Sequence, residues 1–323
     1  MTKSLVRSLA IRSGVAVTAL LVISAAASGT MAQIRFGGAR PTVLAPRPVT
    51  PAQKQSPAKP PVLNMALADP GPIGAATTTA LFAQVAVGGG YSTVFTFVNT
   101  GGTRVDGNLI LTSFDGTPLN VTLSLASPNP GLSNLDDRVS ASSTSISIPP
   151  GGTKFVTASG AGTTVNGWGR VESDGGTLGG VATFQFTSGG VVQTVAGVLS
   201  SAPVDVATIP VDNDAAQGRQ TGFAVANATS SSVNVKIVVI DENGNIVDSA
   251  SPPELNPLGP RKQLAKFLNE VFPARSTMKG SMVLIPNTPG AIAVVALVLV
   301  QQPAGGFLLT TIPVIPAKAP GIN

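Results

Sequence analysis

Few residues in this chain are equipped for chemistry. There is no histidine and no cysteine among its 323 residues, so the commonest general base, the thiolate nucleophile and the usual zinc ligands are all missing. No G-x-S-x-G nucleophile elbow, P-loop or G-x-G-x-x-G dinucleotide turn occurs, and Gly160-Ala161-Gly162 lacks the third glycine. Glu172 and Asp174 come nearest to a two-carboxylate pair. Two positions apart on a strand, however, they are surface charges that share one face. Asp212-Asn213-Asp214 can offer Asp212 and Asp214 oxygens to Ca²⁺, and Asp136-Asp137 is a thinner version of the same idea; both read first as ordinary turns. Trp168 and Tyr91, the single Trp and single Tyr, would make a sugar-stacking platform if they met at a surface. Arg261, Lys262, Lys266, Arg275 and Lys279 gather against Glu270 alone, either as a cationic docking patch or as the solvated face of a helix. The expectation is a non-enzyme without a cofactor.

What must hold these residues is a duplicated framework. Gly90-Tyr91-Ser92-Thr93-Val94-Phe95-Thr96-Phe97-Val98-Asn99 returns, ungapped and 128 residues later, as Gly218-Arg219-Gln220-Thr221-Gly222-Phe223-Ala224-Val225-Ala226-Asn227. The register continues through Val105/Val233, Leu109/Ile237, Leu111/Val239 and the turn pairs Asp115-Gly116/Asn243-Gly244. That period is far too long for a solenoid and fits two copies of one domain. The later halves align at an offset of 111, through Gly169/Gly280 and Gly179/Gly290. The second copy is therefore 17 residues shorter, and the polar loop at 126–141 is the expected site of the difference.

Short alternating runs dominate both copies. Ser92–Asn99, Asn108–Phe114, Thr117–Leu125, Ser143–Ile148, Lys154–Ala158, Trp168–Glu172, Gly180–Thr187 and Val191–Leu199 read as strands in the first. Val206–Pro210, Thr221–Asn227, Asn234–Asp241, Asn245–Ser249, Gly280–Ile285, Ala291–Val300 and Gly306–Pro313 read as strands in the second. Asp-Gly and Asn-Gly pairs predict hairpin turns because they tolerate positive φ. Ala291–Val300 lacks alternation, which predicts a central strand apolar on both faces, set against the other domain or a partner. Lys262–Phe272 places Leu264, Phe267, Leu268 and Val271 at helical spacing, with Pro273 as the stop.

The N-terminus reads as an address. Lys3, Arg7 and Arg12 precede an apolar run at 14–27, and Thr30-Met31-Ala32 supplies small residues for cleavage before Gln33. Residues 33–79 read as a Pro-rich linker, with nine prolines between Pro41 and Pro72; proline removes backbone donors and keeps such a stretch out of sheets. Charge divides along the same lines. The leader and residues 33–63 carry eight cations and no acid, so the remainder of the chain holds 12 Lys+Arg against all 15 Asp+Glu, a net −3. The high pI belongs to the extension. The folded part lacks the basic face that nucleic acid requires, and the linker's cations give it at most a weak affinity for anionic surfaces. No later segment is long enough to span a bilayer as a helix. With no cysteine, each copy must be stable through core burial alone.

Seven or so short strands per copy, with turn signals between them, predict an all-β chain of two tandem immunoglobulin-like antiparallel β-sandwiches, at 80–204 and 205–323, after a signal peptide at 1–32. "Gly-Tyr-Ser-Thr-Val-Phe-Thr-Phe-Val-Asn-Thr", "Phe-Asp-Gly-Thr-Pro-Leu", "Ile-Pro-Pro-Gly-Gly-Thr" and the 266–273 segment "Lys-Phe-Leu-Asn-Glu-Val-Phe-Pro" resemble secreted bacterial proteins with tandem immunoglobulin-like or fibronectin-III-like domains. The resemblance spans roughly residues 80–315 and implies fold and an extracellular or periplasmic location, not an activity. It leads to the expectation of an exported, non-catalytic structural or adhesion-type protein that contacts a protein or glycan. A carbohydrate-binding accessory module and a pilus-type periplasmic chaperone stand beside it as alternatives.

Overall fold

In a computed structural model of the chain, residues 77–126, 138–303 and 305–317 are described. The expectations on the leader, on the linker up to residue 76 and on Asp136-Asp137 lie outside those residues; residues 77–79, expected as the end of the linker, are strand instead, paired with the Val165–Ser173 strand. The chain is all-β, with antiparallel sheets throughout, and both copies belong to one compact unit. Among the described residues no helix is long and apolar enough to cross a membrane.

The first copy, here lobe 1, contributes β1 (Thr77–Val87), β2 (Tyr91–Asn99), β3 (Val105–Ser113), β4 (Val121–Ala126), β5 (Arg138–Ala141), β6 (Ser143–Ile148), β7 (Thr153–Ser159), β8 (Val165–Ser173), β9 (Leu178–Ser188) and β10 (Val191–Leu199). One sheet runs β1-β8-β3-β6 and the other β10-β9-β2-β7-β4-β5. Alternation along each strand turns one face inward. Phe82 of the first sheet meets Phe95 and Phe97 of the second edge-on, at 5.2 and 5.9 Å between ring centroids. Leu109, Leu111, Ile148, Val171 and Trp168 complete this core.

Lobe 2 contributes β11 (Val206–Asp214), β12 (Arg219–Asn227), β13 (Val235–Asp241), β14 (Ile246–Ala250), β15 (Gln263–Phe267), the one-turn helix α1 (Leu268–Val271), β16 (Thr277–Pro286), β17 (Ile292–Gln301), β18 (Phe307–Ile312) and β19 (Ile315–Ala317). Its strands run β11-β16-β13-β14 and β18-β17-β12-β15, joined at one corner through Asp214↔Arg219, with β19 added beside β11. Strand for strand this is the lobe 1 order without β4 and β5. The duplication read from the 128-residue offset is thus a duplication of topology, and the extra residues of lobe 1 form two added edge strands. The order itself is not that of an immunoglobulin constant-type domain, in which the first two strands are sheet neighbours. Here β1 and β2 lie in opposite sheets, because the glycine turn at Gly88-Gly89-Gly90, all at positive φ, carries the chain across the core.

Two local expectations change. Asn243-Gly244 does close the β13–β14 hairpin. Asp115-Gly116 makes the matching turn, with Ser113 N–H donating to Thr117 O at 2.7 Å, but the chain then leaves for the opposite sheet, where β4 pairs β7. The helix expected over Lys262–Phe272 is mostly strand. Gln263–Phe267 pairs residue by residue with Gly222–Ala226 of β12, and that ladder outweighs a helical spacing of four apolar residues; only Leu268–Val271 turns helical.

β17 meets its expectation. Every residue from Ile292 to Leu299 is buried. Ile292, Val294 and Ala296 face the lobe 2 core, whereas Ala293, Val295 and Leu299 join the core of lobe 1. The sheet β18-β17-β12-β15 therefore lies between two apolar layers and unites the lobes.

Candidate functional site

Of the residues nominated by the sequence, Trp168, Tyr91 and Arg261 lie at this joint. Trp168 on β8 has no exposed surface, and its indole Nε1–H donates to the carbonyl oxygen of Arg261 at 2.7 Å. The sugar platform is thereby corrected: a ring without an accessible face cannot stack on a glycan. Tyr91 is buried as well. Its ring lies 4.8 Å from that of Phe186, which lies 5.4 Å from Phe307 of lobe 2. Burial pushes the Tyr91 phenol up to about 12. The two aromatics stand in opposite sheets of lobe 1 and form no common surface.

Arg261 is a structural corner. It is the only non-glycine residue at positive φ among the described residues, at 58°. Its guanidinium donates to Ala228 O, and its backbone N–H donates to Thr229 O at 3.2 Å. Desolvation by burial, then the nearby Arg170, hold its pKa below the usual guanidinium value. Next to it the Asp115-Gly116 turn of lobe 1 comes so close that a Cβ on Gly116 would stand 2.8 Å from Pro260 O, and Gln263 N–H donates to Phe114 O at 3.0 Å. Lys262 remains exposed. Lys266 is paired with Glu254 at 2.7 Å and depresses that carboxyl. The cationic patch is therefore divided: Arg261 forms a lobe corner, Lys266 and Arg275 sit in ion pairs, the latter with Asp248 at 3.4 Å, and Lys262 and Lys279 are exposed.

A buried amide cluster lies behind the corner. The Gln263 Nε2–H₂ donates to Ala83 O at 3.1 Å and to Gln84 Oε1, and Gln84 Nε2 donates to Asn166 Oδ1 at 3.3 Å. Ala83 and Gln84 are presented to lobe 2 by a bulge in β1, between Phe82 and Val85. None of this was legible in the sequence, where Gln84 and Gln263 stand beside apolar neighbours with nothing to link them.

Asp212 and Asp214 share a face of β11 but are separately engaged. Asp212 Oδ2 accepts from Arg219 Nη1 at 2.7 Å, and Asp214 Oδ1 caps the turn at Ala215–Gln217 by accepting from Ala216 N and Gln217 N. Among the described residues no group of three or more His, Cys, Asp or Glu is placed to hold a metal. Glu172 is bound to Arg170 at 2.7 Å, whose guanidinium lies 5.6 Å from the Trp168 ring centroid.

Where β10 and β18 run side by side, Thr194 Oγ1 accepts from Leu309 N–H at 3.0 Å and Thr311 Oγ1 donates to Gly197 O at 2.9 Å. A groove of about 850 Å³ opens along this seam between Leu199, Pro203, Val204, Val294, Thr311 and Pro313. Asp205 is the one titratable group among the described residues that line it. No family model, no curated protein and no solved structure matches the chain.

Proposed function

We propose that the chain is an exported, non-catalytic structural or adhesion-type protein, whose two β-sandwich lobes act as one rigid body that contacts protein or glycan outside the cytoplasm. The lobes are immunoglobulin-like only in the broad sense of two packed antiparallel sheets, with a strand order of their own. One observation carries the reading. The residues with the strongest chemical potential, Trp168, Arg261, Gln263 and Tyr91, face inward at the lobe joint, so their chemistry is spent on holding a shape. The platform needed by a carbohydrate-binding accessory module is absent from Trp168. Export rests on the leader at 1–32. Fractionation of the source cells, with mass spectrometry of the mature N-terminus, tests it: the protein should appear outside the cytoplasm beginning at Gln33. A cytoplasmic chain that starts at Met1 would end the reading.

A further inference from the structure

The chain has two Asn-Gly pairs, Asn166-Gly167 and Asn243-Gly244. In such a pair an asparagine can modify itself. The next backbone nitrogen is within reach of the side-chain amide carbon, attack closes a five-membered ring, and glycine has no Cβ to hinder the closure. In a folded protein the reaction also needs a backbone free to open locally.

The structure separates the two pairs. Asn166 is 4 % exposed. Its Oδ1 accepts from Gln84 Nε2 at 3.3 Å, and its carbonyl oxygen accepts from Phe114 N–H at 3.1 Å. Gly167 lies in β8 between β1 and β3, so tightly that a Cβ on it would stand 2.2 Å from Thr112 O. Asn243 and Gly244 are exposed at the tip of the β13–β14 hairpin, and nothing lies within 4 Å of a Cβ placed on Gly244. Lobe 1 makes the same turn. Gly116 N–H donates to Ser113 O at 2.9 Å, as Gly244 N–H does to Asp241 O at 3.1 Å. Asp115 of lobe 1 stands where lobe 2 has Asn243, so this turn accepts a carboxylate at that position.

We propose that Asn243 is a self-modifying site, at which the side-chain amide is lost as ammonia and an aspartyl or isoaspartyl residue takes its place. Solvent base removes the proton from Gly244 N, and that nitrogen bonds to Asn243 Cγ. The Cγ–Nδ2 bond breaks, the base returns its proton, and ammonia leaves. One water then opens the ring. Opening at Cγ gives aspartate; opening at the main-chain carbonyl gives isoaspartate, whose backbone is longer by one methylene. The reaction consumes water alone. Asp241 is its restraint. Asp241 Oδ1 accepts from Asn243 N at 2.9 Å and from Asn245 N at 2.8 Å, and Gly244 N can attack only after its own bond to Asp241 O opens. The longer isoaspartyl backbone no longer fits the bond from Asp241 N–H to Asn245 O, now 3.0 Å, and so loosens β14, the edge strand beside β13. The inference rests on the turn and not on export, so either can fail alone.

Storage of the full chain in warm, mildly alkaline buffer tests it, with peptide mapping by mass spectrometry and an isoaspartate-specific methylation assay at intervals. In the folded protein, conversion is expected at Asn243 at least about a hundredfold faster than at Asn166, which reacts only when the core opens. In concentrated urea the two should convert at similar rates. Asp241→Ala removes two bonds at an exposed turn and should speed the folded-state reaction about fivefold; Trp168 emission reports that the variant remains folded. A folded chain in which Asn166 keeps pace with Asn243 overturns the inference. So does an Asn243 that stays intact in the folded chain while the chain in urea reacts. An unchanged rate in Asp241→Ala overturns the role given to Asp241.

Discussion

Trp168 and Arg261 lie 93 positions apart and in different lobes, yet the indole N–H of one donates to the backbone carbonyl of the other at 2.7 Å. This bond sits within a core shared by both lobes, which makes separate unfolding of the lobes costly: each would expose Ala224, Val295 and the amide cluster to water. The expected outcome is a single denaturation transition, with far-ultraviolet dichroism and the emission of the only Trp giving the same midpoint. Trp168→Phe should cost about 2–4 kcal/mol, through the unsatisfied Arg261 carbonyl and the smaller ring. Two resolved transitions would show that the joint is not cooperative.

Arg261 separates backbone strain from side-chain contact. A φ of 58° costs a residue with a Cβ roughly 1 kcal/mol, which glycine escapes. The guanidinium contact with Ala228 O is lost in any truncation. Arg261→Gly should therefore destabilise less than Arg261→Ala, by about 1 kcal/mol, in parallel urea titrations. Equal losses would mean that the strain is relieved elsewhere.

Asn99 and Asn227 were visible in the repeat as an identity without a reason. Each is fully buried and pins the loop that follows its strand. Asn99 Oδ1 accepts from Gly101 N at 2.9 Å, and its Nδ2–H₂ donates to Thr103 O and Ile148 O at 2.7 and 2.9 Å. Asn227 repeats this with Thr229 N at 2.9 Å and with Ser231 O and Leu258 O at 2.7 and 3.1 Å. An aspartate of the same shape would turn a carboxylate toward two carbonyl oxygens. Asn99→Asp or Asn227→Asp should cost about 3 kcal/mol or more at neutral pH, and less in acid, where the carboxyl is protonated and can donate one bond. Thermal unfolding at pH 7 and pH 4 checks both the size and the sign.

How far the sequence could be read follows from the range of each signal. Alternation in Ser92–Asn99 and the apolar run at 291–300 report local environment, and β2 and β17 match them, including burial of β17 on both faces. The duplicated registers reported topology, because strand order is copied with the strands. Long-range facts left weaker marks. Gln263 gives no sign that it bonds to Gln84, 179 residues away, and Lys262–Phe272 carries a helical spacing that the β12 ladder overrides. Trp168 stood out by its rarity alone, and rarity does not distinguish a binding surface from a joint.

Tyr91 supplies a test of the joint in alkali. It is the only tyrosine, so near-ultraviolet absorbance follows this one phenol without assignment. Burial against Phe186 pushes its pKa up to about 12, against about 10 for the unfolded chain. The native state thus favours the protonated phenol. Its contribution to stability, about 2–3 kcal/mol by linkage, is complete below pH ~10 and disappears as pH rises from there through 12. Stability should fall over that interval, and Tyr91→Phe, which cannot ionise, should fall less steeply when the two are compared by urea denaturation between pH 9 and pH 12. An absorbance midpoint near 10 in the folded protein would show that the phenol reaches water, and that the Tyr91–Phe186–Phe307 stack does not close this end of the joint.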